Sequence, residues 1–243
     1  MINSRNVILK QHHMKTQFLF VIIFLIGGMI SAQDSLRTEE IQSKIITFNP
    51  KSIPENTNGI NLGVMDDYQS KKINGINLQG NPLSIIYLLI PKPIEIPSDE
   101  SATVSINGLH ISTGGITDGK QLNGVGISMY HIAQVTNGVT INGFNNNSGK
   151  LNGVHVSFLN NSADTGNGLL ISLSNSTGSY NGAQLGIHNK SDVLKGMQIG
   201  GINIAKENNG LQIGVINKTE KTKGFQIGFW NKNAKRSLPL VNF

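Results

Sequence analysis

One phrase, Gly-x-Gln-Ile-Gly-x-x-Asn, occurs three times at a 14-residue period between Lys195 and Asn231: KGMQIGGINIAKENN, GLQIGVINKTEKT and KGFQIGFWNKNAK. A sustained period this short restricts the chain to a repeat architecture. Aligned on the first glycine, the copies start at Gly59, Gly75, Gly108, Gly124, Gly138, Gly153, Gly168, Gly182, Gly196, Gly210 and Gly224. The steps are 16, 33, 16, 14, 15, 15, 14, 14, 14 and 14. The long step holds Pro82, Pro91, Pro93 and Pro97, so one degenerate or looped-out repeat is expected around the apolar run Leu83–Ile90.

The residue after the glycine is apolar in all eleven copies, and two further on all eleven are aliphatic, for example Ile199, Ile213 and Ile227. Polar residues or glycine mostly lie between, including Gln184, Gln198, Gln212 and Gln226. Such alternation is the signature of half-buried strands. On the usual rule that apolar side chains go inward, Ile199, Ile213 and Ile227 form a core column. The glutamines then form a flat outward face, the candidate interaction face. Leu122, Leu151, Tyr180 and Leu194 are expected to point inward from the return side.

Seven residues after the glycine an asparagine recurs in seven consecutive copies: Asn145, Asn160, Asn175, Asn189, Asn203, Asn217 and Asn231. Stacked amides bond along a stack of strands, and asparagine suits a corner. These seven are read as a structural ladder at one corner, with glycine or Asn-Gly at the other.

Seven extended residues cover about 23 Å, so a 14-residue unit goes out and back. Identical units that stack in register are parallel, which predicts an all-β, parallel β-solenoid of about 12 short coils. The alternative is an antiparallel outer-membrane β-barrel. It fits less well, because spanning strands run about 9–11 residues and carry aromatic girdles.

The ends read differently. Lys10, His12, His13 and Lys15 precede an apolar run from Phe18 to Ile30, and Ser31-Ala32 follow. This is the pattern of a secretory signal peptide spanning residues 1–32. Met14, directly before Lys15, is the more natural start, which makes residues 1–13 an upstream extension. Residues 33–57 read as a poorly ordered leader, 58–231 as the repeat domain, and 232–243 as a C-terminal cap. The formal charge of +6 falls to +3 without residues 1–32, and there is no basic cluster with interleaved aromatics. Nucleic acid is therefore not an expected partner. The absence of cysteine excludes disulfides, thiolate metal sites and a cysteine nucleophile.

The units LNGVHVSFLNNS, KGMQIGGINIAK, NGLQIGVINK and KGFQIGFWNKNAKRSLPLVNF resemble a family of bacterial surface-repeat proteins. Its members carry tandem Gly-hydrophobic-Gln-Ile-Gly-x-x-Asn units behind a signal peptide and end in a Trp-Asn-x-Asn-x-x-Arg-Ser-x-Pro segment, here Trp230 to Pro239. The likeness is loose over residues 58–243 and close over 181–243. It implies an exported protein of a Gram-negative bacterium at the cell surface or outer membrane, and no defined activity.

Chemistry-bearing residues are sparse. The best carboxylate cluster, Asp66 and Asp67 with Asp118, is the sole basis for a carbohydrate-active enzyme alternative. The other acids occupy different register positions. No aspartate recurs once per coil, so calcium is not expected. His110 and His155 share a register position three coils apart, too far to share a metal, and are read as outward polar residues like the glutamines. No catalytic, cofactor or metal site is expected. The expected function is structural or adhesive, through an unidentified protein or glycan at the cell surface, with outer-membrane association as a further possibility.

Overall fold

The computed structural model describes residues 43–48, 55–64, 71–81, 104–114 and 120–243. All of them lie in one compact unit, Ile41–Phe243. The signal-peptide segment and the Asp66, Asp67 and Asp118 cluster lie outside the described residues.

Ten strands form one sheet in chain order: β1 (Ser43–Phe48), β2 (Glu55–Gly63), β3 (Lys71–Gln79), β4 (Val104–Ser112), β5 (Lys120–Ser157), β6 (Asn160–Ile171), β7 (Ser174–Asn208), β8 (Leu211–Thr222), β9 (Phe225–Lys232) and β10 (Ser237–Asn242). Successive strands from β1 to β9 pair in parallel, with each repeat in register on the one before. The fold is a parallel β-solenoid, and the barrel alternative is overturned, because a barrel strand pairs antiparallel with its neighbours.

The first glycine of the motif sets the rung. Gly168 has φ of 115°, and a Cβ there would sit 2.0 Å from the carbonyl oxygen of Gly153. Across all eleven copies that distance is 1.9–2.3 Å to the rung below, so the stack is continuous from Gly59 to Gly224. Only glycine combines that φ with so close an approach.

Three expectations are corrected. First, the 33-residue step places no rung between its two glycines, so a degenerate repeat stacked in the column is excluded: β3 pairs directly with β4, and Gly75 faces Gly108. Residues 82–103, including the apolar run Leu83–Ile90, lie outside the described residues. Second, the segment read as leader contributes a rung, since β1 pairs parallel with β2 through Ile46 and Ile60. Third, the inside and outside of the alternation are reversed. The eleven residues after the glycine and the eleven two further on all lie outside the buried set, and Ile199 and Ile227 are exposed. The residue between them is buried in every copy. Alternation fixes two faces but not which one is enclosed. In so narrow a coil, amides stacked at about 4.8 Å satisfy one another, so the enclosed glutamines keep their partners, while His155 Nε2 in the same column has none.

Apolar packing lies mostly on the return side, with Leu170 joining it from the enclosed column. Leu122, Leu151, Tyr180 and Leu194 are buried as expected. Leu151 and Tyr180 cluster with Ala163 and Leu170. Leu122 clusters with Ile73, Val104 and Ile106.

Candidate interaction surface

The enclosed column determines what is left for the surface. Gln184, Gln198, Gln212 and Gln226 are all 0 % exposed. Gln198 donates to Gln184 (2.7 Å), Gln212 to Gln198 (2.8 Å) and Gln226 to Gln212 (2.8 Å). Thr177 and Ser191 close the network at Gln184. The glutamines are thus removed as an interaction face: no partner reaches them.

The same column continues toward the N-terminus through Leu170, His155, Thr140, Gly126, His110, Asn77 and Asn61. His110 and His155 are therefore interior, not outward. Asn77 Nδ2 lies 2.9 Å and Lys120 Nζ 3.0 Å from the two ring nitrogens of His110. Thr140 lies 2.9 Å from His155 Nδ1. His131, buried on the return side, is 3.0 Å from Thr136 and sets its ring edge-on to that of His110. Burial, then the Lys120 charge, holds His110 and His131 well below the usual imidazole range. Burial brings His155 to about 4. A buried lysine among histidines has no signal in the sequence, because Lys120 stands where the neighbouring copies carry Val104 and Gln134.

At the asparagine corner, each Nδ2 donates to the next Oδ1: Asn161 to Asn175 (3.1 Å), then to Asn189 (2.9 Å), Asn203 (2.9 Å), Asn217 (2.8 Å) and Asn231 (2.7 Å). Most also donate to the backbone of the rung above, as Asn203 does to the Ile213 carbonyl at 2.8 Å. Asn145 and Asn160 do not belong to this column. Asn146 and Asn161 occupy its register instead. Their 15-residue coils carry the extra residue ahead of the corner, which a fixed offset of seven misses. The Gly-x-x-Asn spacing has a packing cause, since a Cβ on Gly214 would fall 2.5 Å from Asn203 Nδ2 and 3.2 Å from Asn217 Oδ1.

A further amide column went unread in the sequence, although Asn-Gly marks it. Asn74 donates to Asn58, Asn107 to Asn74, Asn123 to Asn107, Asn137 to Asn123, Asn152 to Asn137 and Asn167 to Asn152, at 2.7–2.8 Å.

With amides inside, the apolar side chains are outside, and they share one side of the coil. That side carries the two apolar positions after the glycine together with corner residues such as Phe158, Ile187, Val215 and Trp230, all exposed. The other side is polar, with coil-to-coil ion pairs Lys206–Asp192 (2.8 Å) and Lys221–Glu207 (3.3 Å). Asp164, Asp192, Glu207 and Glu220 all lie there. Among the described residues no group of histidines and carboxylates could hold a metal. Comparison with protein-family models, with curated proteins and with solved structures returned no match to this chain.

Proposed function

We propose that the chain is an exported repeat protein of the cell envelope that works by presenting surface, in a structural or adhesive role, rather than by catalysis. One observation carries this reading: twenty-two outward positions on a single face, two in each of eleven stacked rungs, hold no polar or charged residue. From Gly124 to Gly224 that face is about 34 Å long and about 20 Å wide, on the order of 700 Å² by strand geometry. Monomeric proteins rarely expose apolar patches beyond a few hundred Å², and those that do use them to bind. The resemblance to surface-repeat proteins and the signal-peptide pattern support export, and the ion-paired opposite side suits an aqueous environment.

Cell fractionation with protease shaving of intact cells tests this reading. The processed chain is expected in the envelope fraction. A chain that stays full-length in the cytosol would overturn it.

A further inference from the structure

The apolar face is not uniform along its length. Its last three rungs carry three of its four exposed aromatics from Gly124 onward, Phe225, Phe229 and Trp230, beside Val215, Ile216 and Ile227, all exposed, with Phe158 further back. Its two edges over the last four rungs carry exposed lysines: Lys190, Lys218 and Lys232 just beyond the asparagine corner, and Lys195 and Lys223 just before the glycine. Lys218 and Lys232 are rung-to-rung neighbours. None of the five makes an ion pair among the described residues. Residues 181–243 hold nine basic and three acidic side chains, a net +6 against +3 for residues 33–243 as a whole, so the positive charge of the repeat region is concentrated here. Stacking like charges on adjacent rungs is unfavourable unless a partner supplies the counter-charge.

We propose that this face docks on a bilayer surface bearing anionic headgroups, with the apolar side chains entering the acyl boundary and the flanking lysines meeting the headgroups. The inference rests on the envelope reading above and names its partner. Apolar residues with aromatics, edged by lysines, are the composition that interfacial membrane segments use. The backbone permits it as well. The face's N–H and C=O groups bond rung to rung along the solenoid, so it presents side chains alone to lipid, the condition hydrocarbon imposes on any backbone it meets. A second copy packed face to face is the competing occupant. It would bring lysine edges together wherever the C-terminal rungs meet.

Trp230 is the only tryptophan in the chain and lies on this face, so its emission reports docking locally, whatever the apolar run near the N-terminus does. The full chain is titrated with vesicles of phosphatidylglycerol and phosphatidylethanolamine, with and without brominated acyl chains, and with phosphatidylcholine vesicles. The expected result is a blue shift, quenching by brominated lipid, and at least tenfold weaker association with phosphatidylcholine. The exposed pair Phe225→Ser with Phe229→Ser should abolish the quenching without unfolding the chain. Lys218→Gln with Lys232→Gln should remove the preference for anionic vesicles. A blue shift that depends on protein concentration and not on lipid, with a dimer by sedimentation, would show that the occupant is a second copy and overturn the proposal. So would an unquenched Trp230 on anionic vesicles. Either result leaves the envelope reading standing, since fractionation decides that separately.

Discussion

At the scale of the residue, the reversal of inside and outside has measurable consequences at two adjacent positions. Gln212 is fully buried, accepts from Gln226 and donates to Gln198. Gln212→Leu keeps the volume but strands the Gln198 Oε1 acceptor, while Gln226 Nε2 keeps its bond to the Lys232 carbonyl. One buried group left without a partner costs roughly 1–3 kcal/mol, read as a fall in the urea midpoint. Ile213 lies on the outer face, so Ile213→Ser is expected to change stability by less than about 1 kcal/mol. If Ile213→Ser proves the more damaging, the enclosed column is the aliphatic one after all. The interior histidines give a second consequence. His155 titrates near 6.5 when unfolded and about 4 when enclosed. Between those values the unfolded chain binds the extra proton, so stability is complete above about pH 6.5 and falls as pH drops toward 4, by roughly 3 kcal/mol from this group alone. Gln184 and Gln198 occupy the same register position without titrating, so His155→Gln should flatten that part of the acid limb. An unchanged slope of stability against pH would show that His155 is not enclosed as a neutral ring.

At the scale of the element, each coil is built from two close approaches, one at each corner. The glycine corner tests this most simply. Gly168 combines a φ of 115° with a neighbour's carbonyl 2.0 Å from where a Cβ would go. Gly168→Ala must therefore strain its φ and lift the rung. A cost of about 2–4 kcal/mol is expected, above the usual helix or strand penalty. Proteolysis near residues 160–175 should quicken, and a variant as resistant as the parent would argue that the rungs are less tightly stacked. The same corner explains what the sequence made legible. Period, strand content, parallel stacking and the glycine registers follow from spacing alone, because a Cβ-free position must recur wherever backbones touch. The asparagine register was legible only where coils are 14 residues long. The step from Gly138 to Asn146, or from Gly153 to Asn161, holds one residue more, and pairing shifts with it. Which face is enclosed was not legible, because hydrophobicity scales rate isolated side chains and a stacked amide is not isolated. Gln198 inside a column has both a donor and an acceptor partner; a lone buried glutamine would have neither.

At the scale of the whole molecule, a column of amides has ends, and each end must be closed. A parallel stack that stops leaves an open edge of backbone and an unpaired amide, and such edges recruit further chains. At the C-terminus the chain reverses. Asn233 Oδ1 accepts from the backbone N–H of Lys235 and Arg236, both at 2.9 Å, and closes a tight turn. β10 then returns antiparallel along β9. Asn242, fully buried, donates to Gln226 Oε1 at 3.0 Å and so ends the glutamine column with an asparagine from the opposite direction. Arg236 donates to Asn242 Oδ1 and to the Phe243 carbonyl, and its guanidinium lies 4.1 Å over the Phe243 ring. The apolar tail residues do not fill the end of the core. Leu240 and Phe243 are exposed, because the core they would have covered is polar, and Asn242 matches it instead. β10 also makes a poor template. Its direction breaks the parallel register, Pro239 offers no N–H, and Leu240 sits at φ 65° beside a register shift. Deleting residues 236–243 removes the antiparallel rung and exposes both β9 and Gln226. The shortened chain is expected to keep its β-rich circular dichroism while forming end-to-end polymers, seen as concentration-dependent growth in light scattering. Asn242→Leu leaves the rung in place but strands Gln226, so it should lower the melting temperature without polymerisation. A deletion variant that stays monomeric and melts with the parent would mean that β10 caps nothing, and that the open end is tolerated for another reason.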